Sequence, residues 1–238
     1  MNTRNYIILS FILLIIFGVH NPSFAQTEYP NSALKIGVQT SLYNKTDIYS
    51  NNEGNTIKSL AHFSGGLEII YYKKLHYGFG CNVGLGIAAF PTNLSIVNPD
   101  NTYDHHLFYT PYFTLPITVE KLFHFVKARN GFMLNTELGI KLNHNILHYS
   151  YGVFCENQYD IELMTKNNIV LSGVAKIGIV KLMENNNTIY INCFVNIGSN
   201  MASGQYSYML NPIDNGLLKQ NLNSIGIEFI YGFNLSKK

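Results

Sequence analysis

The feature that constrains this chain most is a strict alternation between bulky apolar residues and very small or polar ones. From Tyr77 to Ala89 the odd positions are Tyr, Phe, Cys, Val, Leu, Ile and Ala, whereas the even positions are Gly, Gly, Asn, Gly, Gly and Ala. A β-strand places successive side chains on opposite faces, so this segment has one apolar face and one crowded polar face. The pattern is typical of a strand that faces lipid on one side and a barrel interior on the other.

The same alternation recurs along the chain and predicts eight strands. They span approximately residues 34–43, 60–72, 77–89, 109–123, 131–143, 169–182, 188–198 and 222–235. The connections alternate in length: 73–76, 124–130 and 184–187 are short, whereas 44–59, 90–108, 144–166 and 199–220 are long. This arrangement predicts an all-β fold, an eight-stranded antiparallel up-and-down transmembrane β-barrel with both termini in the periplasm. A soluble lipocalin-like barrel, with the apolar faces turned inward, is the rival fold.

The first 25 residues have the pattern of a cleaved signal peptide. Arg4 precedes an apolar run from Tyr6 to Val19, and Ser23-Phe24-Ala25 is a small-x-small cleavage site. The run is short for a membrane helix, which needs ~20 apolar residues, although an uncleaved anchor helix is the alternative. We therefore expect a signal peptide at 1–25, a short periplasmic segment at 26–33, and an outer-membrane barrel at 34–238 with short periplasmic turns and long extracellular loops.

The composition agrees with a chain that faces lipid. Charged residues make up 13% of the sequence, against about 25% in typical soluble domains, and there are 17 tyrosines and 15 phenylalanines. No apolar run after the signal is long enough for a membrane helix, so a membrane location must come from strands closed into a barrel. The formal net charge of +2 gives no indication of a nucleic-acid partner. Pro116, within the fourth strand, predicts a bulge or local bend there.

Seven charged residues fall on the predicted inner faces of the strands. Buried charges must pair or change protonation state, and eight strands leave an interior just wide enough for side chains. We therefore expect an ion-pair and hydrogen-bond network that plugs the barrel, with a proton or ion path as the alternative. The glycines at 78, 80, 84 and 86 are expected to make room for large residues opposite them. The charged residues are Lys35, Glu68, Glu120, Glu137, Lys141, Lys176 and Glu228.

Three segments carry a resemblance to a known family. They are Leu34-Lys35-Ile36-Gly37-Val38, the strand from Tyr112 to Lys121 with its aromatic-x-x-Leu-Pro-apolar pattern, and the last strand from Ser224 to Tyr231. Over 34–235 the chain resembles the PorT-like outer-membrane β-barrel proteins of Gram-negative bacteria. The resemblance implies a location more than an activity. It also implies an assembly signal in the last strand, read by the outer-membrane assembly machinery and formed by Ser224, Gly226, Phe229 and Tyr231.

Candidate chemistry is sparse. Ser150 with His144 or His148 and Glu156 could form the nucleophile, base and acid of a lipid A deacylase-like enzyme, although only residue types support this. The adjacent His105 and His106 point to opposite sides of a strand, so they are poorly placed to share one metal ion. Cys81 and Cys193 lie on predicted lipid-facing positions, where we expect them to act as small apolar side chains rather than as a disulfide; a bridge between them is the alternative. We expect no enzyme activity, cofactor or metal.

The sequence therefore predicts a small outer-membrane barrel, porin-like in fold, with a plugged polar interior. Its expected role is structural, or that of an accessory component in envelope assembly, secretion or adhesion. Its expected partners are outer-membrane lipid, the assembly machinery, and an envelope protein or glycan bound by the long loops. The alternatives are a lipid-modifying enzyme and a narrow transporter or ligand-binding barrel.

Overall fold

The computed structural model describes residues 29–50, 57–97, 103–124, 131–146, 150–154, 159–164, 169–208 and 211–236. The expected signal peptide lies outside these residues. Eight of the described strands form a barrel, and six lie in the long connections. The barrel strands are β1 (Ser32–Tyr43), β4 (His62–Lys74), β5 (Phe79–Val97), β6 (Tyr103–His124), β7 (Phe132–Asn145), β10 (Ile169–Leu182), β11 (Thr188–Gly198) and β14 (Ser224–Asn234). The other six are β2 (Asp47–Ser50), β3 (Ile57–Ser59), β8 (Ser150–Phe154), β9 (Tyr159–Met164), β12 (Asn200–Tyr208) and β13 (Asn211–Asn221).

The eight barrel strands close into a ring. Each pairs antiparallel with the next barrel strand along the chain, and β14 pairs antiparallel with β1. Following the register once around the ring from Ala33 leads back to β1 at Tyr43, ten positions further along the strand. This offset tilts the strands and, with the strand number, sets the barrel diameter. The predicted eight-stranded antiparallel barrel is confirmed.

The two faces of the barrel wall have opposite character. Ile69 and Ile70 are neighbours in β4, yet Ile69 is 55% exposed on the outside and Ile70 is 2% exposed on the inside. The outward faces of the other barrel strands are likewise apolar and exposed, with Leu85, Ile191 and Ile225 as examples. A belt of exposed aliphatic and aromatic side chains therefore surrounds a buried interior, as in a membrane barrel. This is the reverse of the lipocalin-like alternative.

Helices contribute little to the described part of the chain. It contains no helix with the length and apolar character needed to cross a bilayer.

Most strand predictions agree with the structure. β10 and β11 have the predicted bounds. The third strand begins at Phe79, because Tyr77 lies in the short 3-10 turn His76–Gly78 with a φ of 59°. Of the bulge or local bend expected at Pro116, the bulge is wrong: the β5–β6 pairs Val83–Ile117 and Gly86–Thr114 keep one register on either side of it. Direct pairing is interrupted between them, so the missing proline N–H is accommodated without an inserted residue.

The long connections contain more strand than expected. We call the end that carries them the long-loop end, and the end that carries His76–Gly78 and the turn at 183–187 the short-turn end. At the long-loop end β5 and β6 continue as a paired hairpin to Val97 and Tyr103, and β3 pairs with β5. A separate five-stranded sheet has the order β2-β13-β12-β9-β8. The prediction of loops there is wrong for these segments, because their backbone groups pair as extended hairpins.

Because the outer face of the barrel is apolar, a charged side chain placed on it should destabilise the barrel. Leu67→Arg, on the outer face midway along β4 and 61% exposed, should lower the free energy of unfolding in lipid vesicles by about 2–4 kcal/mol, because the new charge lies in hydrocarbon. Urea titration of the folded barrel in vesicles measures this change.

Leu217→Arg is the matched control. Leu217 is 48% exposed on β13, in the separate sheet of the long-loop end, so the same substitution should change stability little there. Equal effects at the two positions would contradict a lipid-facing belt at Leu67.

Candidate functional site: the charged barrel interior

The structure brings the seven predicted interior charges together. They come from six strands of the barrel, and each residue is at most 4% exposed. Their positions follow from the strand alternation, because every one lies on the inner face of its strand. Three lysines and four glutamates therefore share a narrow space from which water is largely excluded.

The charge pair nearer the short-turn end is Lys35 with Glu120. Lys35 on β1 and Glu120 on β6 form a salt bridge, and because β4 and β5 separate these strands, the pair spans the interior. The amide of Asn82 donates to Glu120 Oε2 at 3.0 Å and its Oδ1 accepts from Lys35 at 3.1 Å. The Lys35 ammonium also lies 4.5 Å from the Tyr72 ring centre and 4.3 Å from that of Tyr190. The buried positive charge of Lys35 is thus stabilised by one carboxylate, one amide oxygen and two aromatic ring faces.

A second group of five charges lies further along the barrel towards the long-loop end. Lys141 Nζ is 2.6 Å from Glu68 Oε1. Lys176 Nζ is 2.9 Å from Glu228, 3.5 Å from Glu137 and 4.0 Å from Glu68. Lys176 therefore contacts all three carboxylates of this group and joins β4, β7 and β14 to β10.

Buried amides and hydroxyls extend the network. Asn192 donates to Glu228 at 2.8 Å, Asn135 donates to Asn192 at 3.2 Å, and the Thr118 hydroxyl donates to Glu137. Desolvating charges costs several kcal/mol per ion unless pairing and further hydrogen bonds compensate. Breaking a single pair here would leave an uncompensated charge in a closed interior, so the network acts as one unit. We call these seven charged residues and their amide and hydroxyl partners the charge layer.

Aromatic and aliphatic side chains close both ends of the charge layer. Near the short-turn end a buried cluster, the lower cluster, contains Tyr29, Ala33, Tyr72, Leu122, Met133, Val180, Tyr190 and Ile230. Near the long-loop end the upper cluster contains Tyr43, Ala88, Phe90, Tyr112, Val170 and Leu222. The Tyr43 and Tyr112 hydroxyls lie 2.5 Å apart, so the upper cluster also has a polar link across the interior.

Little open space remains between these layers. A cavity of about 10 Å³, about the size of one water molecule, lies beside Lys141 and is lined by Thr114 and Asn196 among others. The inner glycines match large neighbours, since a Cβ at Gly80 would overlap the Tyr72 ring and one at Gly84 would crowd Ile70. Gly78 differs from the prediction: it lies in the turn with a φ of +73° rather than on the inner face.

Some partners of the interior charges were not identified in the sequence analysis. Asn82, Tyr72 and Tyr190 lie on inner faces, so the alternation alone could have identified them as partners of the charges. Tyr29 precedes the first strand, and no periodic signal marks it as buried. It nevertheless lies inside the barrel with 5% exposure.

The remaining candidates are not brought together. Within the described residues no three His, Cys, Asp or Glu side chains are arranged to hold a metal ion. Cys81 and Cys193 are free thiols, so the disulfide alternative between them is wrong. His144 is exposed on β7 and His105 is exposed on β6 with half-buried His106 beside it. His148, Glu156 and the side chain of Ser150 lie outside the described residues.

The four residues of the expected assembly signal lie on β14. Phe229 is exposed on the outer face, Ser224 is buried, and Tyr231 and Gly226 are half-buried. Tyr231 accepts a hydrogen bond from the Asn187 amide at 2.8 Å and packs edge-on against Phe233. This strand pairs with β1 and β11, so it closes the barrel.

Comparison with known proteins supports the fold. No protein-family model and no curated protein matches the chain. The outer membrane protein OprG from Pseudomonas aeruginosa has a similar structure, with a TM-score of 0.54, 11% identity, and coverage of 87% of this chain and 97% of OprG. The outer membrane protease OmpT from Escherichia coli aligns over 90% of this chain and 100% of its own at 10% identity and a TM-score of 0.35.

The fold and the interior together define the class of protein. A closed eight-stranded antiparallel barrel with an apolar outer belt, a filled charged interior and long hairpins at one end has the architecture of the outer-membrane β-barrels of Gram-negative bacteria. The similarity to OprG covers most of this chain and nearly all of OprG. At this level of identity it concerns the fold alone.

The contacts of Lys176 predict a large loss of stability when its charge is removed. Lys176→Met should lower the free energy of unfolding by about 3–5 kcal/mol, since three carboxylates lose their shared ammonium in a closed interior. Lys181→Met, an exposed position on the same strand, should change it by less than about 0.5 kcal/mol. The measurement is urea unfolding in detergent or lipid; similar effects of the two substitutions would contradict the role given to Lys176.

Proposed function

We propose that this protein is a non-conducting barrel of the outer membrane that serves as an interaction component of the cell envelope. In this proposal the barrel is an anchor, and the hairpins of the long-loop end form the contact surface for an envelope protein or glycan. The observation that carries the proposal is the contrast between the two regions. The interior is filled by paired charges and aromatic side chains, whereas most of the described residues outside the barrel strands belong to paired strands at the long-loop end.

The packed interior argues against transport as the principal role. The cross-barrel pairs Lys35–Glu120 and Lys141–Glu68 lie in the path that a solute would take, and the upper and lower clusters cover them. Moving these side chains aside would break several buried ion pairs at once. The narrow transporter and the ion path are therefore the less favoured functions.

The long-loop end has features of a binding surface. The β5–β6 hairpin extends beyond the last β6–β7 pair, Tyr112–Asn145, to Val97 and Tyr103. Leu107 and Tyr109 on this extension are 41% and 45% exposed. Exposed aromatic and aliphatic side chains on a rigid hairpin provide contact area at a low entropic cost.

Orientation and family membership are part of the same proposal. Membrane barrels of this kind keep short turns in the periplasm and long loops outside the cell, so we place the long-loop end outside and both termini in the periplasm. The strand motifs at 34–38, 112–121 and 224–231 support membership of the PorT-like group. The signal-like residues 1–25 support export to the envelope.

A barrel plugged in this way should not conduct ions. Purified folded protein in planar bilayers should give the same current as detergent alone, because the charge layer and the two clusters leave no continuous water path. Stepwise conductance of the wild type that changes in Lys176→Met would contradict the proposal and favour the ion path.

The contact role is tested by shortening one hairpin. In the test variant residues 92–108 are replaced by Asn-Gly, a two-residue turn that suits a hairpin; in the control variant only residues 98–102 are replaced by a Gly-Ser linker of equal length. Native electrophoresis of mildly solubilised outer membranes should place the wild type and the control in an assembly with another envelope component, identified by mass spectrometry. The test variant should migrate as a monomer while remaining a folded, heat-modifiable barrel. A wild type that is itself monomeric would contradict the contact role.

A further inference from the structure

The group that closes the short-turn end belongs to no barrel strand. Tyr29 lies three residues before β1 begins at Ser32, yet it is 5% exposed inside the barrel. Its ring meets the Tyr72 ring edge-on, with the ring centres 5.3 Å apart and the planes at 85°. Its hydroxyl lies beside the Tyr190 hydroxyl and 3.4 Å from Glu120 Oε1, so the two phenol protons are shared among these three oxygens.

The space around Tyr29 has the chemistry of a phenol site. Tyr72, Tyr190 and the aliphatic members of the lower cluster supply apolar and aromatic walls from several strands. Glu120 Oε1 supplies an acceptor at the inner end of this space, 3.3 Å from the Tyr190 hydroxyl, and it accepts from whichever phenol does not donate to the other. An aromatic ring with one hydroxyl donor satisfies both features, since buried tyrosines need an apolar contact for the ring and a partner for the hydroxyl.

Tyr29 is held there by its side chain rather than by strand pairing. The β1–β4 ladder starts at Ser32 and Lys73, and the Asn31 carbonyl accepts from the Lys74 N–H at 2.9 Å. Pro30, between Asn31 and Tyr29, has no N–H to donate. The segment that carries Tyr29 can therefore leave the interior without breaking any of these barrel pairs.

We propose that the short-turn end of the barrel is a binding site for a phenol group, which the chain fills with its own Tyr29 as a tethered plug. Release of the plug gives solvent access to the Lys35–Glu120 pair from that end. The site is open to other phenols when Tyr29 is absent. This inference is independent of the contact role of the long-loop end.

Chemical rescue tests the site directly. Tyr29→Ala in the full-length folded protein should unfold at a lower temperature than the wild type, because a phenol-sized space is left in the lower cluster. 4-Methylphenol, which has the structure of the missing side chain, should restore more than half of the lost unfolding temperature. Toluene, which has the same ring and methyl group without the hydroxyl, should restore much less. The readout is the temperature at which the fast-migrating band of the unboiled protein disappears.

The wild type is the matched control, since its site is already filled. 4-Methylphenol should leave its unfolding temperature unchanged, which separates binding at the site from effects of the compound on the detergent. Tyr29→Phe should unfold between the wild type and Tyr29→Ala, because it keeps the ring and loses the hydroxyl. The proposal is overturned if Tyr29→Ala unfolds at the wild-type temperature, if neither compound restores stability, or if toluene restores as much as 4-methylphenol.

Discussion

The pairing of β1 with β14 is the constraint on which the rest of the structure depends. Lipid offers no hydrogen bonds, so each backbone N–H and C=O of a membrane strand needs a partner within the protein, and an open sheet edge is not tolerated. The two strands pair from Ala33 with Asn234 to Tyr43 with Ser224. This pairing closes the ring with an offset of ten positions along β1, and the offset together with eight strands sets the strand tilt and the interior diameter. An interior of that size holds side chains rather than a water channel.

Closure also explains why the polarity of the barrel is inverted. Because the outer face consists mainly of apolar residues, the alternation of the strands places all seven residues of the charged network inside. Charges in that interior must then compensate one another, and their pairing across the barrel links strands distant in sequence, as Lys35 and Glu120 do. Such pairs contribute less net stability than their short distances suggest, because desolvation offsets much of the attraction. Their clearer effect is on specificity, since a one-residue register shift of β10 would turn Lys176 towards lipid and leave its three carboxylate partners without it.

The sequence predicts the wall of this barrel well and the contacts across it poorly. Period-two alternation is a local property, so the strand bounds of β10 and β11 and the inward direction of all seven charges could be read from it. The choice of partners could not, because it depends on the offset that closure imposes; nothing local to Lys141 points to Glu68. Tyr29 lies before the first periodic segment, so its place in the lower cluster left no signal. The sequence predicts loops rather than hairpins at the long-loop end, because the alternation there is weaker and the turn residues are scattered.

The most direct test of this account is a disulfide across the closing strands. Thr40 faces Ile227 in the β1–β14 register, and Cys193 faces Ile227 from the other side, so the native cysteines are first replaced by alanine. Thr40→Cys with Ile227→Cys should oxidise readily in the membrane, since directly opposite residues lie within disulfide reach. Thr40→Cys with Phe229→Cys, two positions out of register, should remain reduced. Bond formation by the first pair alone is the result that the account predicts. Equal oxidation of both pairs, or of the second pair only, would contradict the closed barrel in this register.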